Sequence, residues 1–537
     1  MDTYDYIIVG AGSAGCILVN RLSEDEGKTV LLLEAGGVDR NIFIHIPAGF
    51  FKTISNSSVN WLYTTEAEES SGNRKISWPR GKVLGGSSSI NGHLIVRGQR
   101  EDYDGWRQLG NAGWSFDDVL PYFKRFESAE VGDDEIRGRD GPIRVREPIE
   151  QHPLAQVFMD ACEELGIPRN PDYNGATQEG VGFFQYALGD ARRMSTARGF
   201  LKPARRRRNL QVVTKALTKW IITKEGRATG VRFKHDGFER EAHARCEVIL
   251  SAGSIASPQI LERSGIGDGE RLKEHGVEVV HALPGVGENL TDHLQSRITY
   301  ETNQKLTIND ILNSRIRGAM AMTRYLVKGD GLMAISSATV HAIMRSGPEL
   351  THPDIKLQIM LVSGKDRYAR SKKIGTDPFS GFNIGVFPIY PKSRGSTHAR
   401  STDPAELPII RANYLTEAED RETTLRGLKL VRNVASQSAI TPYIVREVRP
   451  GPEVADDEGL LDYARQSGQT SWHPISTCRM GRGDMDVVDH QLKVYGTERL
   501  RVVDSSIMPN MPTSNTNAPS IVIGEKGADM ILADAKG

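Results

Sequence analysis

Apolar positions fall into two rhythms along this chain. Tyr6-Ile7-Ile8-Val9 is an unbroken apolar run rich in β-branched residues, the pattern of a strand buried on both faces. Beyond it, Cys16, Ile17, Val19 and Leu22 recur at helical spacing. Thr29-Val30-Leu31-Leu32-Leu33 predicts a second strand, which ends in Glu34. The same reading places strands at Leu210-Gln211-Val212-Val213, Gly230-Val231-Arg232-Phe233, Glu247-Val248-Ile249-Leu250 and Leu500-Arg501-Val502-Val503, and an apolar helix over 521–532. Between residues 300 and 465 the pattern turns to mixed helix and strand, with strands expected over 355–360 and 382–387.

The connections carry more information than the elements. Between the first strand and its helix stands Gly10-Ala11-Gly12-Ser13-Ala14-Gly15, a match to G-x-G-x-x-G in the strand–turn–helix context that this motif requires. Gly10, Gly12 and Gly15 let bare backbone approach a pyrophosphate, whose charge the helix N-terminus then meets. Glu34, at the end of the second strand, is placed to accept hydrogen bonds from an adenosine ribose. The motif leaves NAD and FAD both open. A second strand-to-glycine turn, Ser251-Ala252-Gly253 leading on to Ser264-Gly265-Ile266-Gly267, predicts that the nucleotide-binding unit is discontinuous in sequence. The region over 300–465 then reads as most of a substrate domain laid over the cofactor.

At 537 residues the chain exceeds what one hydrophobic core supports, so two structural units are expected. Its 68 basic and 68 acidic residues cancel, which removes the electrostatic case for nucleic acid or an anionic membrane surface and favours a small-molecule partner. The one charge run, Arg205-Arg206-Arg207-Arg208, reads as a solvated turn. Four cysteines without paired spacing suggest neither disulfides nor a metal site. With no leader pattern and no apolar run of about 18 residues, a cytoplasmic protein without a transmembrane segment is expected. No G-x-S-x-G elbow supports a serine hydrolase.

Trp78-Pro79-Arg80-Gly81-Lys82-Val83-Leu84-Gly85-Gly86-Ser87-Ser88-Ser89-Ile90-Asn91 resembles the glucose-methanol-choline (GMC) oxidoreductase family. So do Gly253 to Gly267, Pro284-Gly285-Val286-Gly287-Glu288-Asn289-Leu290 with Asp292-His293, Ser393-Arg394-Gly395, and the run from His473 to Met530. The resemblance implies α/β and α+β architecture: a Rossmann-like FAD-binding domain of residues 1–155, 195–300 and 466–537, and a mixed sheet-plus-helix substrate domain of residues 156–194 and 301–465. It implies that Ser13, Ala14, Glu34 and Ala35 hold the adenosine end. Val83, Gly86, Asn91, Gly92 and Leu94 would line the flavin, with Trp61 near it; Asp504, Ser505 and Thr516 would also contact the cofactor. Relatives with covalent flavin carry histidine where Ile90 stands, so noncovalent FAD is implied.

Among 13 histidines, His473 is singled out because Ser471-Trp472-His473-Pro474-Ile475-Ser476-Thr477-Cys478-Arg479-Met480-Gly481 resembles the family's catalytic segment. A neutral imidazole there takes the hydroxyl proton while hydride leaves for flavin N5. Ser476 stands where relatives often have glycine. Asn515 matches the position of the histidine's usual partner and would orient the substrate oxygen; it also reads as the cap of the helix over 521–532. That helix would point its positive end at the flavin edge that becomes negative on reduction. His93 reads either as touching the site or as a histidine satisfied by backbone, and His293 is assigned no chemistry.

The activity so implied is oxidation of an alcohol, expected to be primary, to its aldehyde, with electrons passing to a quinone or other acceptor. The alternatives are an oxidase that uses oxygen and releases peroxide, and a non-redox FAD-containing hydroxynitrile lyase. Choline as substrate would call for an aromatic surface and a carboxylate around its quaternary ammonium, whereas Trp472 points as readily to an apolar or aromatic alcohol.

Overall fold

The computed structural model describes residues 2–336, 338–364 and 375–535; residues 1, 337, 365–374 and 536–537, which fall within the expected domain ranges, lie outside that set. The chain opens with β1 (Asp2–Val9), α1 (Ser13–Leu22) and β2 (Val30–Glu34). β1 begins at Asp2, ahead of the Asp5 start that the local apolar pattern suggests. Its first residues pair with a distant strand, Asp2 with Ala242 and Tyr4 with Ala244, a partner invisible to local patterning.

β3 (Leu210–Thr214), β4 (Phe238–Leu250) and β5 (Leu500–Val502) complete a parallel sheet in the order β3-β2-β1-β4-β5, so segments hundreds of residues apart build one sheet. The middle strands are buried on both faces, which is why their sequences run apolar without alternation. β4 serves three partners. Its first half pairs antiparallel with Arg227–His235, and its second half runs parallel between β1 and β5. After β4 comes α2 (Gly253–Arg263), and after β5 comes α3 (Asn517–Asp534).

A second sheet is antiparallel throughout. Its order is Ile444–Arg449, Leu294–Thr302, Gly381–Pro388, Ile355–Met360, Val340–Met344 and Gly180–Phe183, with Gln469–Thr470 also pairing Leu294–Thr302. The strand Leu294–Thr302 thus runs in this sheet, across the boundary expected at residue 300. Each sheet has its own apolar core, one gathered on Ile7, Leu32 and Ile249, the other on Leu357, Ile384 and Leu428. Among the described residues no helix is long and apolar enough to cross a membrane.

Candidate active site

A cavity of about 2110 Å³, its open mouth included, lies between the two sheets. It runs without a break from the Gly10 turn to His473, so a single space joins the glycine turn to the candidate base.

One end is made of backbone. Gly10, at φ +102°, sits where an added Cβ would lie 2.4 Å from the Ser251 carbonyl oxygen. Gly15 does not line the cavity; a Cβ there would fall 2.0 Å from the Gly10 carbonyl oxygen, so this glycine lets α1 close onto the turn. Gly10, Gly12, Ser13, Ala14, Glu34 and Ala35 line this end. The Glu34 carboxylate accepts from Ala11 N–H at 2.9 Å and Gly36 N–H at 2.7 Å, and burial pushes its pKa up to about 7. Three helix N-termini converge on the same space: α1 after Gly12 and α3 after Thr516, neither capped by its N-cap side chain, and α2 after Ala252, whose first N–H, that of Gly253, is taken by Asp504 Oδ2 at 2.8 Å. Such uncapped N–H groups favour anionic ligands and developing negative charge. The expected cap, Asn515, is one residue early, for Thr516 holds the N-cap position and the Asn515 side chain turns elsewhere.

Along the cavity's length stand Trp61, Gly86, Asn91, Gly92 and Leu94. Val83 does not line it; this side chain packs with Ile44, Val59 and Ile90. His93 is also away from the cavity wall. Its ring meets Tyr186 edge-on at 4.9 Å, and neither ring nitrogen has a hydrogen-bond partner among the described residues, so neither expectation for it describes what is seen. Asp504 and Ser505 line the cavity, yet the Asp504 carboxylate is engaged by Gly253 N–H at 2.8 Å, Ser257 Oγ at 2.6 Å and Ser506 N–H at 2.8 Å.

The other end is made of side chains. His473 and Asn515, 42 residues apart in sequence, meet with Asn515 Nδ2 at 3.0 Å from His473 Nε2. His473 is held from behind. Its backbone N–H donates to Asp292 Oδ1 at 2.7 Å, and the preceding carbonyl, that of Trp472, accepts from Arg80 Nη2 at 2.6 Å. Trp472 at φ +66° and Ser476 at φ +72° bracket the histidine with left-handed backbone. That conformation favours glycine, which accounts for the glycine relatives carry at the Ser476 position.

His293, to which the sequence assigned no chemistry, is in contact with the ring. Its Nδ1 lies 3.0 Å from His473 Nδ1, and its Nε2 lies 2.7 Å from the Ile389 carbonyl oxygen. A carbonyl only accepts, so His293 Nε2 carries a proton, and burial, pushing its pKa down to about 3, keeps the ring neutral. Its Nδ1 is therefore a bare acceptor, and His473 must donate from Nδ1, which leaves His473 Nε2 as the lone pair at the cavity wall. Burial above all, with the Arg80 guanidinium acting in the same direction, holds His473 well below the usual histidine pKa.

The second sheet supplies the facing wall. Partners in its register share a face, and Gln295 and Arg297, Gln358 and Met360, and Phe387 all line the cavity. With Thr470 to His473 they include one arginine and, among the described residues, no carboxylate.

Family models described as GMC oxidoreductase match residues 4–295 and 391–524. The chain is 40% identical over 538 residues to an oxygen-dependent choline dehydrogenase of Photobacterium profundum, covering 99% of this chain and 93% of that protein. It is 38% identical over 532 residues to an alcohol dehydrogenase [acceptor] of Pseudomonas putida, covering 98% and 96%. Among solved structures it is similar to pyridoxine 4-oxidase from Mesorbium loti, with a TM-score of 0.88, 29% identity and 98% coverage of both chains. It is likewise similar to an FAD-dependent oxidoreductase from Chaetomium thermophilum, with a TM-score of 0.87, 26% identity, and coverage of 99% of this chain and 100% of that one.

Proposed function

Starting from the fact that this chain belongs to the GMC oxidoreductase family and is an FAD oxidoreductase acting on CH–OH donors, we propose that it oxidises a neutral alcohol, with His473 as the base. The observation that carries this reading is the meeting of His473 Nε2 and Asn515 Nδ2 at 3.0 Å on the cavity wall. FAD, held noncovalently beside an Ile90 that offers no nucleophile, supplies the acceptor for the hydride that leaves the carbinol carbon. The Gly10 turn and the uncapped N-termini of α1 and α3 support binding of its diphosphate and of the charge it gains.

His473 takes the hydroxyl proton at Nε2. Asn515, with two N–H donors, hydrogen-bonds the substrate oxygen and fixes which lone pair faces away. Positive charge then forms on the imidazole. His293 Nδ1, accepting from His473 Nδ1–H, and Asp292, accepting from the His473 backbone N–H, lie where they stabilise it.

Two named relatives are choline dehydrogenase and alcohol dehydrogenase. The wall formed by the second sheet and residues 470–473 carries no carboxylate among the described residues, which supports a neutral alcohol over choline. The test is an anaerobic screen of choline and of aliphatic, aryl and polyol alcohols for loss of flavin absorbance. Bleaching by a neutral alcohol and not by choline is expected; bleaching by choline alone overturns the substrate assignment. Release of peroxide on readmitting air would assign oxygen as acceptor. Its absence, with reduction of an added quinone, would assign a dehydrogenase; release of cyanide from a cyanohydrin over unbleached flavin would assign a lyase.

A further inference from the structure

The tautomer of His473 is set from one side by the Ile389 carbonyl acting through His293. The other side ends in a group that this mechanism does not use. Lys356, on the strand Ile355–Met360, is completely buried, and its Nζ lies 3.1 Å from Asn515 Oδ1. The same Nζ donates to Ser514 Oγ, which in turn donates to Asn515 Oδ1 at 2.9 Å. The Phe184 ring centroid is 4.6 Å from Nζ and that of Phe387 5.9 Å. No carboxylate bonds this amine among the described residues, so a cation here is unpaired, and burial accordingly pushes its pKa well down.

We infer that Lys356 is a positioning residue for the reaction: by holding Asn515 Oδ1 it turns the amide so that Nδ2 faces His473, and so keeps the His473 Nε2 lone pair available as base. The logic is one of donors and acceptors. An amide has one oxygen and one nitrogen end, and a flip exchanges them at almost no steric cost. A flipped Asn515 would present its oxygen to His473 Nε2, an arrangement that requires a proton on Nε2 and strips Nδ1 of the proton it gives to His293. As the side chains stand, Lys356 Nζ and the Ser514 hydroxyl both donate toward Oδ1, two bonds that a flip gives up, leaving the amine at most a lone pair to offer the amide N–H. The hydrogen-bond chain therefore runs in one direction, from Lys356 through Asn515, His473 and His293 to the Ile389 carbonyl. Both of its ends enforce the same proton position. Register places Lys356 beside Phe387, whose ring lines the cavity, so the amine sits just behind the wall and reaches the substrate only through Asn515.

This inference rests on His473 being the base, and the test separates the two. Lys356→Met keeps length and removes the donor. With an alcohol that bleaches the wild-type flavin in the screen above, its kcat is expected to fall at least tenfold with KM changed less than threefold and flavin content unchanged. Wild-type kcat in Lys356→Met, with His473→Ala inactive, overturns the inference and leaves the base assignment standing. Full activity in His473→Ala overturns the base assignment itself. A second readout needs no turnover: ¹⁵N NMR of histidine-labelled protein, with the His473 signals identified by their loss in His473→Ala. The wild type is expected to show the Nδ1–H tautomer, and Lys356→Met a gain of Nε2–H. An Nε2–H tautomer in the wild type overturns the inference whether or not the variant folds.

Discussion

The two ends of the cavity are built on opposite principles. At the glycine-turn end, residues 9–35 supply one contiguous stretch of the surface and the backbone does the work: close approach at Gly10, closure at Gly15, open N–H groups on α1. At the His473 end nothing is contiguous. His293, Lys356, Ile389, His473 and Asn515 come from five segments, and what they share is a chain of hydrogen bonds that runs from the Lys356 amine to the Ile389 carbonyl. An end made of backbone is damaged by added atoms, and an end made of side chains by a lost or misplaced proton.

Substitutions at each end should therefore fail in different ways. The largest effect is expected from His473→Ala, which should lower kcat by about 10²–10⁴, the range for a lost general base, while flavin content stays at the wild-type level. Loss of flavin along with activity would mean that the ends are not separable. Gly15→Ala should show the converse. Forcing a Cβ against the Gly10 carbonyl should cost about 1–3 kcal/mol, read as a lower Tm and as purification with little or no FAD. Glu525→Gln probes what joins the ends. Glu525 is fully buried on α3 and pairs with Arg21 of α1 at 2.9 Å and with Arg125 at 2.7 Å. Neutralising it should cost about 2–3 kcal/mol, less than the ~3–5 for breaking a fully buried pair because both arginines reach solvent. Tm and flavin content should fall together. The smallest effect is in pH dependence. Because His473 is held below its ordinary value, the neutral base is retained on acidification past 6.5, so the acid limb of kcat/KM should lie below pH 6.5. A limb at or above 6.5 would place the ring in a wetter setting than the fold provides.

The same contrast explains what the sequence revealed. Strand, glycine turn, helix and Glu34 are neighbours in the chain, and their spacing exposes their arrangement. His473 and Asn515 were legible only through resemblance, since no local pattern links residues 42 apart. His293 carried no signal of its own beyond the Asp292-His293 pair. Lys356 carried none either: Ile355-Lys356-Leu357-Gln358-Ile359 alternates apolar with polar, and period 2 puts the lysine on the face of Gln358, the pattern of a strand with one side toward water rather than of a buried amine. The Asn515 cap missed by one residue because a polar run ahead of a helix does not say which of its members turns inward.

The pairing of α1 with α3 also orders events during synthesis. Arg21 and its partner Glu525 are separated by 504 residues, an interval of roughly 25–100 s at ribosomal rates of about 5–20 residues per second. For most of that interval the glycine turn has left the ribosome without the helix that packs on α1, and neither His473 nor Asn515 has been made. Closure of the cavity and the meeting of His473 with Asn515 thus fall late and close together in the life of the nascent polypeptide, and α1 lacks its α3 partner until the last helix arrives.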